Sequence, residues 1–129
     1  MKISDLQIGD WIRVKDHLDC DKVQEIAMDE CMRYYISIAC SATLVRVYEF
    51  EPIPLTAEIL ENNGFTKVNS QRYELNDGQR YINVNPKKGY IYVNGERNHC
   101  NVYDNFTVHG FQHALRICGL SALANNLKV

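Results

Sequence analysis

The stretch EPIPLTAEILENNGF, residues 51–65, constrains the fold of this chain most, because it carries signals for both ends of a helix. Its two prolines keep the approach extended, and Thr56 is a residue type that caps a first helical turn. Gly64 stands where a left-handed residue ends a helix, which would place Phe65 against Leu60. Because a helix of about two turns is unstable alone, the sequence predicts that it docks on a sheet.

Three segments before this helix have the alternating apolar pattern of strands. LQIGDWIRVKD is typical of a turn followed by a strand, and LVRVYEF is a β-rich run. Between them, MRYYISIAC places Tyr34, Ile36, Ile38 and Cys40 on one face. We expect a small antiparallel sheet or partly closed barrel over residues 1–50, similar in outline to SH3-like barrels.

The chain after the helix is typical of a β-meander. Turn signals at Asn76–Gly78, in NPKKG and at Asn94–Gly95 separate β-rich runs between Tyr73 and Val102. Residues 66–72, which precede the first run, are polar enough to form a mobile join.

The stretch VHGFQHALRICGL predicts a closing helix. Val108, Phe111, Leu115 and Cys118 recur at helical spacing and are expected to face inward. The glycine that follows the first histidine weakens helix initiation, so we expect the helix to begin one or two residues late. Gly119 is placed to stop it.

Length and composition fit one globular domain. The chain has 129 residues, of which 46% are hydrophobic and 23% charged, close to globular averages. We predict a single α+β domain over residues 1–129, with an SH3-like sheet lobe at 1–50 and the helix, β-meander and closing helix at 51–129. The net charge of −2 gives no support for a general affinity for phosphate backbones. No apolar run approaches the ~18 residues of a membrane span, so no membrane partner is expected.

The cysteines indicate a reducing compartment. Cys20, Cys31, Cys40, Cys100 and Cys118 are odd in number, irregularly spaced and without a CxxC pair. The opening stretch MKISDLQIGD has no apolar segment of the kind found in export signals. We therefore expect a cytoplasmic protein whose thiols are reduced.

The histidines His109 and His113 raise the question of a metal or catalytic site. They lie one helical turn apart, and His99 and Cys100 precede them, so a small Cys/His hydrolase or metal-binding protein is one hypothesis. However, HGFQH lacks the glutamate of a metalloprotease helix, and Arg116 on the same face would oppose a bound cation. The sequence favours a solvated or partner-facing helix surface, and we predict no catalytic residue, cofactor or metal ligand.

Cations and tyrosines interleave in the meander, which makes nucleic acid a possible partner. Aromatic rings and cations on one sheet face stack bases and hold phosphates, although alternating tyrosines are also ordinary strand residues. The interleaved residues are Arg72, Arg80, Tyr81, Lys87, Lys88, Tyr90, Tyr92 and Arg97. The phosphate-cradling patterns GxGxxG and GxxxxGK(S/T) are absent from the sequence.

Four stretches carry a resemblance to a known family: LQIGDWI, FEPIPLTAEILENNGF, GYIYVNGE and VHGFQHALRICGL. They resemble a family of small uncharacterised proteins of Bacteroides-type bacterial genomes, often encoded in prophages or other mobile elements. The similarity spans nearly the whole chain, and its most specific part is the pair IPLTxEILxxxGF and VHxxQxALxxxG. The resemblance implies a shared fold, and it implies no activity, cofactor or catalytic residue.

These observations predict a non-enzymatic cytoplasmic binding or adaptor module, with the phage or mobile-element origin that the resemblance implies. A protein is the expected partner. A nucleic-acid-binding accessory protein that uses the tyrosine-rich sheet is the first alternative, and the Cys/His hydrolase or metal-binding protein is the second.

Overall fold

The chain forms two compact units, Met1–Ile53 and Pro54–Val129. The computed structural model describes residues 5–14, 20–28, 34–38, 45–46, 50–76, 78, 80–94, 96–99 and 106–129. Within these residues each unit has a five-stranded antiparallel sheet, and the second unit adds three helices. The predicted α+β class is confirmed.

The first unit is a sheet of short strands in the spatial order β4-β3-β2-β1-β5. From β1 to β5, the strands are Trp11–Val14, Cys20–Met28, Tyr34–Ile38, Val45–Arg46 and Phe50–Glu51. In the described residues the edge strands β4 and β5 each pair on one side only, so the sheet is open. The SH3-like barrel of the prediction is therefore not confirmed.

A small apolar core and a buried carboxylate organise this first sheet. The core residues are Leu6, Ile12, Val14, Val23 and Ile36, with Ile26 and Phe50 packed against them. The predicted turn before β1 contains Gly9, whose φ is 92°, and fully buried Asp10. Asp10 accepts a hydrogen bond from the Gln7 amide at 2.7 Å, so the carboxylate satisfies the backbone of its own turn.

Strand β2, with nine residues, is absent from the sequence-based prediction. Val23 and Ile26 are three residues apart, so a regular strand would place them on opposite faces. A register shift after Val23 inserts one extra residue, and such a β-bulge brings both apolar side chains to the same core. The bulge therefore hides the alternation by which a strand is identified in sequence.

The second sheet is a meander in which consecutive strands pair antiparallel. From β6 to β10, the strands are Thr66–Lys67, Tyr73–Asn76, Tyr81–Asn85, Tyr90–Val93 and Glu96–His99. The first predicted turn is confirmed, because Asn76 Oδ1 accepts from the Gly78 amide at 3.0 Å. The NPKKG turn is confirmed as well, and it ends at Gly89 with a φ of 69°.

The segment expected to be a mobile join instead contains edge strand β6 and a hydrogen-bonded turn. Asn69 Oδ1 accepts from the amides of Gln71 and Arg72 at 2.9 and 3.0 Å. An asparagine side chain that bonds the backbone two and three residues ahead is a standard turn device. The polar composition of this segment therefore reflects a turn.

The pairing of β7, β8 and β9 separates apolar and polar residues onto two faces. Val84 pairs with Ile91, and Asn83 pairs with Tyr92. Buried residues of the first face are Tyr73, Ile82, Val84 and Ile91. We call the opposite side the polar face, which consists of Glu74, Asn76, Tyr81, Asn83, Asn85, Tyr90 and Tyr92.

Helix α1 spans Ala57–Asn62, where the sequence predicts it. Thr56 Oγ1 accepts a first-turn amide at 3.3 Å and acts as the N-cap. Gly64 has a φ of 88°, and the Phe65 amide donates to the Leu60 carbonyl at 3.0 Å. This is the predicted left-handed helix ending, with both Leu60 and Phe65 buried.

Helix α2 spans Val108–Ile117 and does not begin late. Thr107 Oγ1 caps it by accepting from the Gly110 amide at 3.1 Å. A Cβ atom at position 110 would lie only 3.0 Å from Thr107 Oγ1. Glycine therefore leaves room for the cap, and the prediction of a delayed start is wrong.

Helix α2 ends in the same way as α1, with a left-handed glycine and a backbone hydrogen bond to a leucine carbonyl. Gly119 has a φ of 77°, and the Leu120 amide donates to the Leu115 carbonyl at 2.8 Å. Cys118 occupies the C-cap and is half-buried, so it does not face inward as the sequence predicts. A short third helix, α3, follows at Ser121–Asn125 and was not predicted.

Aromatic packing and one buried amide hold α2 in the second unit. Fully buried Phe111 contacts the rings of Phe65 and Phe106, each with a centroid separation of 5.9 Å. Gln112 is also fully buried. Its Nε2 donates to the Ala124 carbonyl at 3.1 Å, which satisfies a polar group that would otherwise be costly to bury.

Two hydrogen bonds join the C-terminal segment to the end of α1. Asn63 Nδ2 donates to the Lys128 carbonyl and Asn63 Oδ1 accepts from the Lys128 amide, both at 2.7 Å. The neighbouring Leu127 side chain is buried. A single carboxamide thus binds both backbone groups of a residue 65 positions away.

Both ends of α1 should contribute measurably to stability. Gly64→Ala should lower the free energy of unfolding by about 1 kcal/mol, since alanine is strained at positive φ. Thr56→Ala should cost about 1 kcal/mol through loss of the cap. Urea titrations of both variants test this, with Glu61→Ala on the exposed side as a control that should change stability by less than about 0.5 kcal/mol. Wild-type midpoints for both Gly64→Ala and Thr56→Ala would contradict the assignment.

Candidate functional site

The polar face carries a groove of about 290 Å³ at one end of the second sheet. It is built by the turn before β7, the end of β8, the β8–β9 turn and strand β9. The lining residues are Gln71, Arg72, Asn85, Lys88, Tyr90 and Tyr92. Two of these side chains are cations, two are carboxamides and two are phenols.

Strand pairing places the two tyrosines. Tyr90 and Tyr92 lie two residues apart on β9, so their side chains emerge on the same face. Tyr90 pairs with Asn85, and Tyr92 pairs with Asn83. A phenol therefore lies beside a carboxamide at two successive positions across β8 and β9.

A cation–π contact orients Arg72 within the groove. Its guanidinium carbon lies 5.9 Å from the centroid of the Tyr92 ring. The Asn69 side chain accepts from the Arg72 backbone amide and so fixes the turn that carries it. Such contacts contribute ~0.5–1 kcal/mol at exposed sites, enough to favour one orientation of a long side chain.

Asn85 is the most buried polar residue of the groove, with 6% of its surface exposed. Its Oδ1 accepts from the Lys88 backbone amide at 3.1 Å and holds the β8–β9 turn. The NH₂ group is then what Asn85 can offer to a ligand. Every residue that lines the groove thus carries a hydrogen-bond donor, and none is a carboxylate.

Four residues of the predicted cation–tyrosine set meet in this groove: Arg72, Lys88, Tyr90 and Tyr92. Lys87, the immediate neighbour of Lys88, lines a different groove of about 460 Å³ in the same unit. The larger groove also contains apolar side chains. Its remaining lining residues are Pro54, Leu55, Ala57, Ser70, Gln71, Tyr73, Pro86 and Phe106.

The other members of the set lie elsewhere. Tyr81 donates from its phenol to the Glu74 carboxylate across β7 and β8, and this bond, with desolvation and the negative charge of Glu74, raises the pKa of Tyr81. Arg80 is exposed and lines neither groove described above. Arg97 is the strand partner of Tyr92, but its side chain lies outside the described residues.

Gln71 and Asn85 line the groove but were not predicted from the sequence. Both are neutral amides in turn-rich stretches, where they resemble ordinary turn residues. The one signal for Asn85 is its position three residues before Lys88, a spacing at which an asparagine side chain reaches a backbone amide.

The histidines of α2 interact with each other and with the helix cap. The rings of His109 and His113 have a centroid separation of 5.7 Å, and His109 Nδ1 lies 3.1 Å from Thr107 Oγ1. Arg116 donates to Asn125 Oδ1 at 3.4 Å. All three side chains are half-buried, so the face is less solvated than the sequence suggests.

The described residues contain no group of three or more His, Cys, Asp or Glu residues placed to hold a metal ion. The Cys100 half of the predicted Cys/His constellation lies outside the described residues, as does the side chain of His99. None of the described helices has both the length and the apolar character needed to cross a membrane.

A structural metal at the histidine pair would make stability depend on chelators, since metal binding contributes directly to folding free energy. We expect His109→Gln/His113→Gln to change the free energy of unfolding by less than about 1 kcal/mol. Leu115→Ala should cost ~2–5 kcal/mol, because it empties a fully buried position. Melting curves with and without a strong chelator test this. A wild-type Tm that falls by many degrees in chelator, with no response from the histidine variant, would contradict it.

No family model, no curated protein sequence and no solved structure matches this chain. We therefore infer function from the chemistry of the groove and of the polar face around it.

Proposed function

We propose that this chain is a non-enzymatic binding module and that its partner contacts the groove on the polar face of the second sheet. The observation that carries the proposal is the convergence of six donor-bearing side chains from three separate segments. Paired strands and hydrogen-bonded turns fix the backbone that carries these side chains, so the framework of the surface is organised before any ligand arrives.

The residue types in this groove favour a protein as the partner. Tyrosine and arginine are enriched among the residues that dominate protein–protein binding energies, because each combines a large contact area with hydrogen-bond donors. Tyr90, Tyr92 and Arg72 supply that combination within one groove. A cytoplasmic location and a phage or mobile-element origin belong to the same proposal, and they rest on the sequence and its resemblance alone.

Nucleic acid is the second candidate, and one observation favours it. Arg72 and Lys88 lie in the same groove as Tyr90 and Tyr92, so phosphate-binding and base-stacking side chains do share a surface. One consideration weighs against it: the Arg72 guanidinium already lies over the Tyr92 ring, which leaves less of that ring for a base.

Affinity capture from the native host, followed by mass spectrometry, tests the proposal. Wild-type protein should retain a defined partner that Tyr90→Ser/Tyr92→Ser loses, while the melting curve of the variant still shows a cooperatively folded protein. His109→Gln/His113→Gln, which alters a different element, serves as the matched control and should retain the partner. Retention that survives nuclease treatment supports a protein partner, and retention lost with nuclease or in moderate salt supports nucleic acid.

The proposal is wrong if the tyrosine variant captures the same partners in the same amounts as the wild type. It is also wrong if the histidine variant loses the partner and the tyrosine variant does not, because the contact surface would then lie on α2.

A further inference from the structure

We propose that the groove formed by Gln71, Arg72, Asn85, Lys88, Tyr90 and Tyr92 binds the phosphate group of a small phosphate monoester. The inference rests on the proposed binding function of the polar face and gives its groove a ligand class. Three observations carry it: the sign of the lining charges, the uniform donor character of the lining, and the burial of Asn85.

The lining charges match a dianion. Arg72 and Lys88 contribute two positive charges, and no carboxylate lies among the lining residues that the structure describes. A phosphate monoester carries a charge of about −1.5 to −2 at pH 7. The local pair of cations contrasts with the net charge of −2 on the whole chain, so the groove departs from the average of the surface.

The donors match a group with many acceptor oxygens. Each of the six lining side chains can donate at least one hydrogen bond, and arginine supplies a planar fork that binds two phosphate oxygens together. A phosphate monoester presents three strong acceptor oxygens. A carboxylate presents two oxygens and one negative charge, so it would leave one cation and several donors without a match.

Asn85 shows that the groove includes a buried polar group. More than nine-tenths of its surface is buried, and its oxygen already accepts from the Lys88 amide. That bond leaves the NH₂ group as the donor that Asn85 has for a ligand. The same bond holds the backbone of Lys88, so it places one cation beside this donor.

The volume of the groove and its lining residues indicate which kind of organic group is attached to the phosphate. A groove of about 290 Å³ has room for a phosphate with a small attached group. Carboxamides and phenols surround the space, so a carrier with hydroxyl groups can exchange hydrogen bonds with them. The Arg72 guanidinium lies over the Tyr92 ring, which favours such a carrier over a stacked base.

Isothermal titration with glucose 6-phosphate as the probe tests this inference, with free glucose as the neutral control. The phosphate ester should bind saturably and should be displaced by inorganic phosphate, whereas glucose should not bind. Arg72→Gln and Lys88→Gln should each weaken binding by about tenfold or more, as loss of a charge-assisted hydrogen bond does. Lys87→Gln removes a neighbouring charge from the other groove and should leave affinity within about twofold. Melting curves confirm that each variant is folded.

The inference is overturned if the ester does not bind saturably, or if Arg72→Gln and Lys88→Gln bind it like the wild type. It is also overturned if an oligothymidylate binds more tightly than the ester at physiological salt and is lost in the same variants, since the groove would then serve nucleic acid. The proposed binding function survives these results provided that Tyr90→Ser/Tyr92→Ser still abolishes partner capture. If capture is unaffected as well, both proposals fail.

Discussion

The pairing register between β8 and β9 is the constraint on which the second unit depends. Side chains alternate along a strand, so a slip of one residue would move every apolar side chain to the opposite face. In the observed register Val84 faces Ile91 on the buried side, and Asn83 faces Tyr92 on the polar side. The same pairing therefore assembles part of the core and one wall of the groove. The β8–β9 turn, tied by Asn85, connects the two strands in this register.

Helices α1 and α2 share one set of end contacts, which stabilises their first and last turns. Each begins with a threonine cap and ends with a left-handed glycine, after which a buried residue bonds back to a buried leucine. Their caps satisfy backbone groups that short helices otherwise leave open to water. Because the buried apolar residues of the second unit lie on the helices, in the segments that adjoin them and on the apolar sheet face, the polar face can differ in chemistry without loss of the core.

Structural features that a few neighbouring residues determine could be predicted from the sequence. Features that depend on residues distant in the chain could not. The end of α1 at Gly64 depends only on the spacing of nearby residues, and it was predicted correctly. Strand β2 was missed because a bulge changes the parity between Val23 and Ile26. The burial of Gln112 was not predicted, since its acceptor lies twelve positions away on α3. The cations and tyrosines of the groove were among the residues singled out from the sequence. Asn85 was not, because only strand pairing and the β8–β9 turn bring it beside them.

We infer that β9 stabilises the fold through the side chains of one face and leaves the side chains of the other face for binding. Urea unfolding of Ile91→Thr and Tyr92→Thr tests it directly, because the same residue, itself favourable in strands, is introduced at adjacent positions. Ile91 is fully buried, so Ile91→Thr should lower the free energy of unfolding by roughly 2–4 kcal/mol. Tyr92→Thr should cost less than about 1 kcal/mol, as for surface positions. Equal losses at the two positions, or a larger loss at Tyr92, would contradict the account.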